Sequence, residues 1–169
     1  KLILIAIAAM AYVTADACSS AIIAPRASKE GGAILWKHRD QTKNPASRLE
    51  HFTDGTYSYT ALVGAAIRSE SVFAGLNSAG LGVINTNTHN LPIDKSDTTG
   101  YKSAGQIMRH ALRECATVEE FEQILRTRKR SSAFQSNIGV ADSTGAAAYF
   151  EVWGSGYKRY DVEQMKRGY

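Results

Sequence analysis

The chain has 169 residues, 44% of them hydrophobic and 21% charged, with a formal net charge of +4 at pH 7. That length suits one domain with a sizeable core. The positive excess is partly local, in R-T-R-K-R at 126–130. No stacking aromatics or nucleic-acid motif accompany it, so it is read as solvated helix-end charge and nucleic acid is excluded as a partner.

Lys1 precedes the uncharged run L-I-L-I-A-I-A-A-M-A-Y-V, and then T-A-D-A. A membrane span needs about 20 apolar residues, so no stable span is expected here. A basic start, a short apolar core and the Ala15-x-Ala17 ending form the pattern of a secretory signal peptide. Residues 1–17 are therefore expected to be removed, leaving Cys18 as a new amino terminus on a secreted or periplasmic domain, 18–169. A buried first strand, Leu2 to Val13, is the bland alternative. Lipid attachment through Cys18 is a third reading, and Ala15, three places before it, does not favour that one.

Beyond Cys18, A-I-I and G-A-I-L-W read as two short strands, followed by a polar loop from His38 to Thr53 that contains Pro45. Residues 57–67 read as a strand. The segments 71–77 and 81–88 flank a turn set by Gly80 and should pair as a hairpin. Ser103 with Gln106 and Thr117 with Glu120 fit capping boxes, and apolar residues return at helical spacing, so two helices are expected between about 99 and 129. Strands resume at 137–142, 146–153 and 157–162, with D-S-T-G as a turn. The expected class is a layered α+β domain.

A cysteine at a chain start has a base beside it, because an α-amine has an ordinary pKa of roughly 7.7–8. The four histidines, His38, His51, His89 and His110, form no pattern that nominates a partner for the thiol or a metal site. No metal or cofactor is expected. Cys115, in a helical pattern among apolar neighbours, reads as a small core residue.

The segments C-S-S, W-K-H-R-D, A-G-L-N-S-A-G-L-G-V-I-N-T-N and A-D-S-T-G-A-A-A-Y-F-E-V occur in that order. Together they resemble the linear-amide hydrolases of the N-terminal-nucleophile group, which include choloylglycine hydrolases, penicillin V acylases and the penicillin acyltransferase. The resemblance implies a four-layer αββα fold, of which only the N-terminal portion is present. It implies catalytic roles for three residues: Cys18 as nucleophile, Asp40 as the acid that holds or tunes it, and Asn87 as an oxyanion donor. Lys37 stands where the family has Arg, and His38 where it has Asn. Asn85 is the reserve oxyanion donor, and Lys37, Asn85 and His89 are the candidate substrate contacts. Asn77 and Asp142 read as turn residues.

The implied activity cleaves a linear non-peptide or small-peptide amide through an acyl-thioester, by hydrolysis or acyl transfer, on a small-molecule acyl amide. A later Thr-Asn strand of the family is not found here. The chain is thus expected to pair with a missing C-terminal segment or to form a homo-oligomer. Two other classes stay open: a secreted or lipid-anchored binding module in which Cys18 serves only attachment or processing, and a thiol redox protein. The latter is disfavoured because Cys18 and Cys115 form no C-x-x-C pair.

Overall fold

A computed structural model of the chain describes residues 18–40, 46–65 and 71–169. The segment expected to be a signal peptide, and Pro45, lie outside the described residues. The elements are β1 (Ser19–Ile23), β2 (Ile34–His38), β3 (Ser47–Phe52), β4 (Tyr59–Gly64), β5 (Val72–Asn77), β6 (Gly82–Thr86), α1 (Ala104–Glu114), α2 (Val118–Thr127), β7 (Gln135–Ala141), β8 (Ala147–Trp153) and β9 (Gly156–Asp161). Strands β3 to β9 form one antiparallel sheet in chain order, and β1–β2 form a separate hairpin.

Residue alternation divides the faces of the large sheet. Val83, Ile138, Val140, Ala148, Phe150 and Val152 point to one side, where they pack on Ile107, Met108, Leu112, Phe121 and Leu125 of the two helices. Their neighbours Ile84, Ala141, Ala147 and Tyr149 point to the other side, where Ile22 and Leu35 of the hairpin cover them. Glycine makes that second approach close. A Cβ on Gly139 would lie 2.9 Å from Ile22 Cδ1, and one on Gly82 would collide with Leu35. The order is helix layer, seven-stranded sheet, second sheet, as in a helix–sheet–sheet–helix sandwich.

Helix ends follow their caps. Thr117 and Glu120 form the complete capping box of α2. Ser103 accepts from Gln106 N–H at the start of α1, while the Gln106 side chain reaches one residue further back, to Lys102 N–H. The basic cluster after α2 is not uniformly solvated. Arg130 is buried and donates to the Leu125 and Trp153 carbonyls, so it caps the C-terminus of α2.

The loop expected from His38 to Thr53 is corrected: it contains the edge strand β3. Its sequence, S-R-L-E-H-F, pairs fully with β4 from Ser47↔Gly64 to Phe52↔Tyr59. Most of its side chains face solvent, and Leu49 is 73% exposed, so no buried stripe marks it. Charged, polar edges of this kind discourage pairing with other chains.

The β5–β6 turn, with Gly80 at φ +89°, is pinned by Asn77. The buried Asn77 amide accepts from Ala79 and Leu81 N–H, at 3.1 and 2.9 Å, and donates to the Leu112 and Cys115 carbonyls at the end of α1, at 3.1 and 2.7 Å. Asp142 does the same at the β7–β8 turn, accepting from Thr144 N–H and from Val118 N–H at the start of α2, both at 2.8 Å. Asn77→Ala would leave these buried groups unpaired and should cost about 3 kcal/mol, measured by denaturant unfolding. A loss under ~1 kcal/mol would mean that water replaces the amide at no penalty.

Candidate active site

The candidate residues meet at the opposite end of the sheet from these turns. There β5 begins, β6 ends, β7 begins and α1 starts. Pairing of β1 with β2, Ser19↔His38 and Ser20↔Lys37, brings Cys18 to the same end. Cys18, Lys37, Asn85 and Asn87 line one cavity of about 250 Å³, together with Phe73 and the first turn of α1.

Cys18 is partly exposed, and its Sγ lies 4.0 Å from the Asp40 backbone carbonyl. Asp40 is thus next to the thiol through its main chain, with its side chain exposed. Lys37 is turned inward. Its Nζ donates to the Asn85 carbonyl oxygen and, at 3.1 Å, to Asn85 Oδ1. Burial pushes the Lys37 ammonium down to about 8; the nearby Cys18 opposes that shift and Arg39 adds to it. The ammonium therefore ties the hairpin next to Cys18 to the end of β6, two residues before Asn87.

His89 is exposed on the loop after β6 and is not among the residues that line this cavity. His38 faces outward, stacked on Trp36 with ring centroids 6.4 Å apart. A larger recess of about 1030 Å³, lined by Tyr101, Arg109, His110 and Arg113, holds none of the candidates. Arg109 and Arg113 in it are engaged with Asp54, so that part of it is a structural ion-pair region.

Three residues at the site escaped the sequence reading. Arg39 lines the cavity with its guanidinium 3.8 Å above the Phe73 ring. The signal was present: two residues after Lys37, it falls on the same side of the extended chain. Gln135 and Asn137 on β7 carry side-chain carbonyl oxygens that are fully buried and have no hydrogen-bond partner among the described residues. Nothing in Q-S-N-I-G-V-A, residues 135–141, marks them. Cys115, by contrast, is core as expected, 4% exposed, with its thiol pushed up to about 12 by burial.

The arrangement is of the helix–sheet–sheet–helix kind, of which the described residues supply one helix layer and strands of two sheets. Among solved structures, the chain is similar to penicillin V acylase from Agrobacterium tumefaciens, at 17% identity and TM-score 0.50, covering 83% of this chain and 38% of that one. It is also similar to a mutant of conjugated bile acid hydrolase from Clostridium perfringens, at 14% identity and TM-score 0.55, covering 86% and 50%. These are likenesses of fold. The chain spans half or less of the length of the structures it matches. No family model matches it. No curated protein matches it in sequence.

Proposed function

We propose that the protein is a cysteine N-terminal-nucleophile amidase acting on linear amides. The observation that carries this reading is the meeting of Cys18, Lys37 and Asn87 in one cavity at the end of an αββα-type sheet. Removal of residues 1–17 on export frees the α-amine of Cys18. That amine takes the thiol proton, and the sulfur attacks the amide carbon. Asn87 donates to the oxyanion, and Asp40 holds the chain at the thiol. As the C–N bond breaks, the amine returns its proton to the leaving nitrogen. The acyl-thioester is then cleared by water or by an acceptor amine.

Further chain completes the site. The outer face of the hairpin exposes Ile34 at 46% and Trp36 at 52%, a surface that a second helix layer would cover. Among the described residues no helix is long and apolar enough to cross a membrane.

The test is intact-mass analysis of the exported complete gene product, before and after incubation with an acyl-amide panel. The expected result is a chain starting at Cys18 with an unmodified amine, and an acyl adduct on Cys18 and not on Cys115. A lipid adduct, a different start, or no adduct from any amide would overturn the reading.

A further inference from the structure

A lysine ammonium carries three N–H donors. Lys37 gives two of them to one residue, to the Asn85 backbone carbonyl and, at 3.1 Å, to Asn85 Oδ1. Two acceptors on the same residue stop the head from turning, so the third N–H keeps a set direction. No acceptor among the described residues takes it. Lys37 lines the cavity of about 250 Å³ with Cys18 and Asn87, and the open space there is what a third donor can serve.

Strand alternation brings the ammonium to this place. On β2, Ile34, Trp36 and His38 are exposed, while Leu35 and Lys37 turn toward the large sheet. Leu35 lies against Gly82 at the start of β6, and Lys37 reaches Asn85 near its end. Asn87 follows two residues later. A charged donor from the hairpin and an amide from the chain leaving β6 thus line one cavity, and Cys18 lines it too. The ammonium senses negative charge there: burial pushes it down, and Cys18 opposes that push. In acyl transfer the charge passes from the sulfur to the oxygen of the carbonyl it attacks, within the same field.

Resting on the reading of Cys18 as the nucleophile, we propose that Lys37 is a second oxyanion donor of the site, acting beside Asn87 through its third N–H. The α-amine takes the thiol proton, the C–S bond forms, and the carbonyl π electrons move onto oxygen, which accepts from Lys37 and Asn87. Lys37 keeps its own proton throughout. When the carbonyl re-forms, the C–N bond breaks and the α-amine gives its proton to the leaving nitrogen. A charged donor is roughly twice as strong as a neutral one, so the ammonium is the larger of the two contributions.

A lysine in this role can be switched off by pH while the fold stands. The neutral amine has two N–H groups, and both remain on Asn85. Deprotonation therefore removes the third donor and the charge but leaves the tether. Burial, opposed by Cys18 and assisted by Arg39, brings the Lys37 ammonium to about 8. Arg39 and Lys102 are the other charged groups among the described residues lining the cavity. Arg39 donates to Ser47 Oγ and lies over the Phe73 ring, and the side chains of Lys102 and Asp40 are exposed. The freed α-amine of Cys18, ordinarily at roughly 7.7–8, must be neutral to act, whereas Lys37 must be charged.

Two reactions of Cys18 on the complete gene product, compared from about pH 6 to 10, test the proposal. Iodoacetamide alkylates the sulfur by displacement and forms no oxyanion. p-Nitrophenyl butyrate acylates it through an oxyanion, and its leaving group departs without needing a proton. The ratio of acylation to alkylation cancels the ionisation of the thiol. In the parent this ratio should fall as pH rises through about 8. Lys37→Arg, which keeps its charge at every pH used, should hold the ratio level. Lys37→Gln retains donors without the charge. It should lower the ratio at neutral pH by about 10- to 100-fold, the usual worth of a hydrogen bond to a charged group, with alkylation little changed.

Thermal melts establish that the variants are folded, and the comparison of the parent with Lys37→Arg decides the matter if Lys37→Gln is not. Equal slowing of both reactions in Lys37→Gln would show that Lys37 acts through the thiol or the hairpin, and overturns the proposal. An alkaline fall that survives in Lys37→Arg overturns it as well. In either case an acyl adduct on Cys18 from the amide panel still upholds the amidase reading. No adduct from any amide overturns both.

Discussion

Cys18→Ser should reduce turnover by at least about 10³-fold while leaving substrate affinity largely intact. The change keeps the shape of the side chain and the adjacent α-amine, so the loss isolates the nucleophile. An alkyl thiol and an α-amine have ordinary pKa values within about one unit of each other, so proton transfer between them is nearly balanced. An alkyl hydroxyl is far less acidic and would need a stronger base than the site offers. Steady-state kinetics on the variant, with intact mass to check for a slow ester, measures the effect. Alkylation should run in parallel. An iodoacetamide probe should label Cys18, which is partly exposed and lines the cavity, and spare Cys115, which is in the core with its thiol held protonated by burial. Turnover of Cys18→Ser within tenfold of the parent would remove Cys18 from the chemistry.

Asn87→Ala should slow acylation by about 10²–10³-fold, or roughly 3–4 kcal/mol, with little change in KM. The reason is differential: a side-chain N–H aimed at the oxyanion gains strength only as charge develops on the carbonyl oxygen. Asn87 is exposed at the end of β6 and lines the cavity, so truncation leaves the fold standing. Asn85 provides the internal comparison. Its carbonyl and side-chain oxygens accept from Lys37, so it serves as the tether of the hairpin whatever its Nδ2 group does. Asn85→Ala should therefore affect the alignment of the hairpin, read as a smaller loss accompanied by lower thermal stability. If Asn85→Ala slows acylation more than Asn87→Ala does, the two roles are exchanged.

What could be read from the sequence follows the physics of each element. The hairpin at Gly80, both helices and the last three strands carried strong local signals: a left-handed glycine, caps and a buried stripe. Strand β3 carried none, because an edge strand need not bury either face, and its pairing with β4 is set by neighbours in space. At the site, Cys18 could be singled out because chemistry at a new amino terminus depends on position in the chain. Arg39, Gln135 and Asn137 could not. Their interest comes from a ring beneath one and, at the other two, a buried oxygen with no partner among the described residues, and both properties arise only when β5, β7 and the hairpin are brought together. The sequence offers Lys37 as a candidate substrate contact, and in the structure its ammonium donates to Asn85, a residue 48 positions away. Strand alternation could place the two on facing surfaces but not in contact.

The sheet has two poles with separate duties. Asn77 and Asp142 secure one, where turns meet the end of α1 and the start of α2, and Cys18 and Asn87 occupy the other, a strand length away. Damage at the first pole should reach the second only by lowering the number of intact molecules. A lysate screen that scores total activity would therefore rank Asn77 among the catalytic residues. Counting competent sites with a stoichiometric thiol inactivator would correct that ranking: each surviving Asn77→Ala molecule should work at the parental rate, whereas each Asn87→Ala molecule should be present and slow.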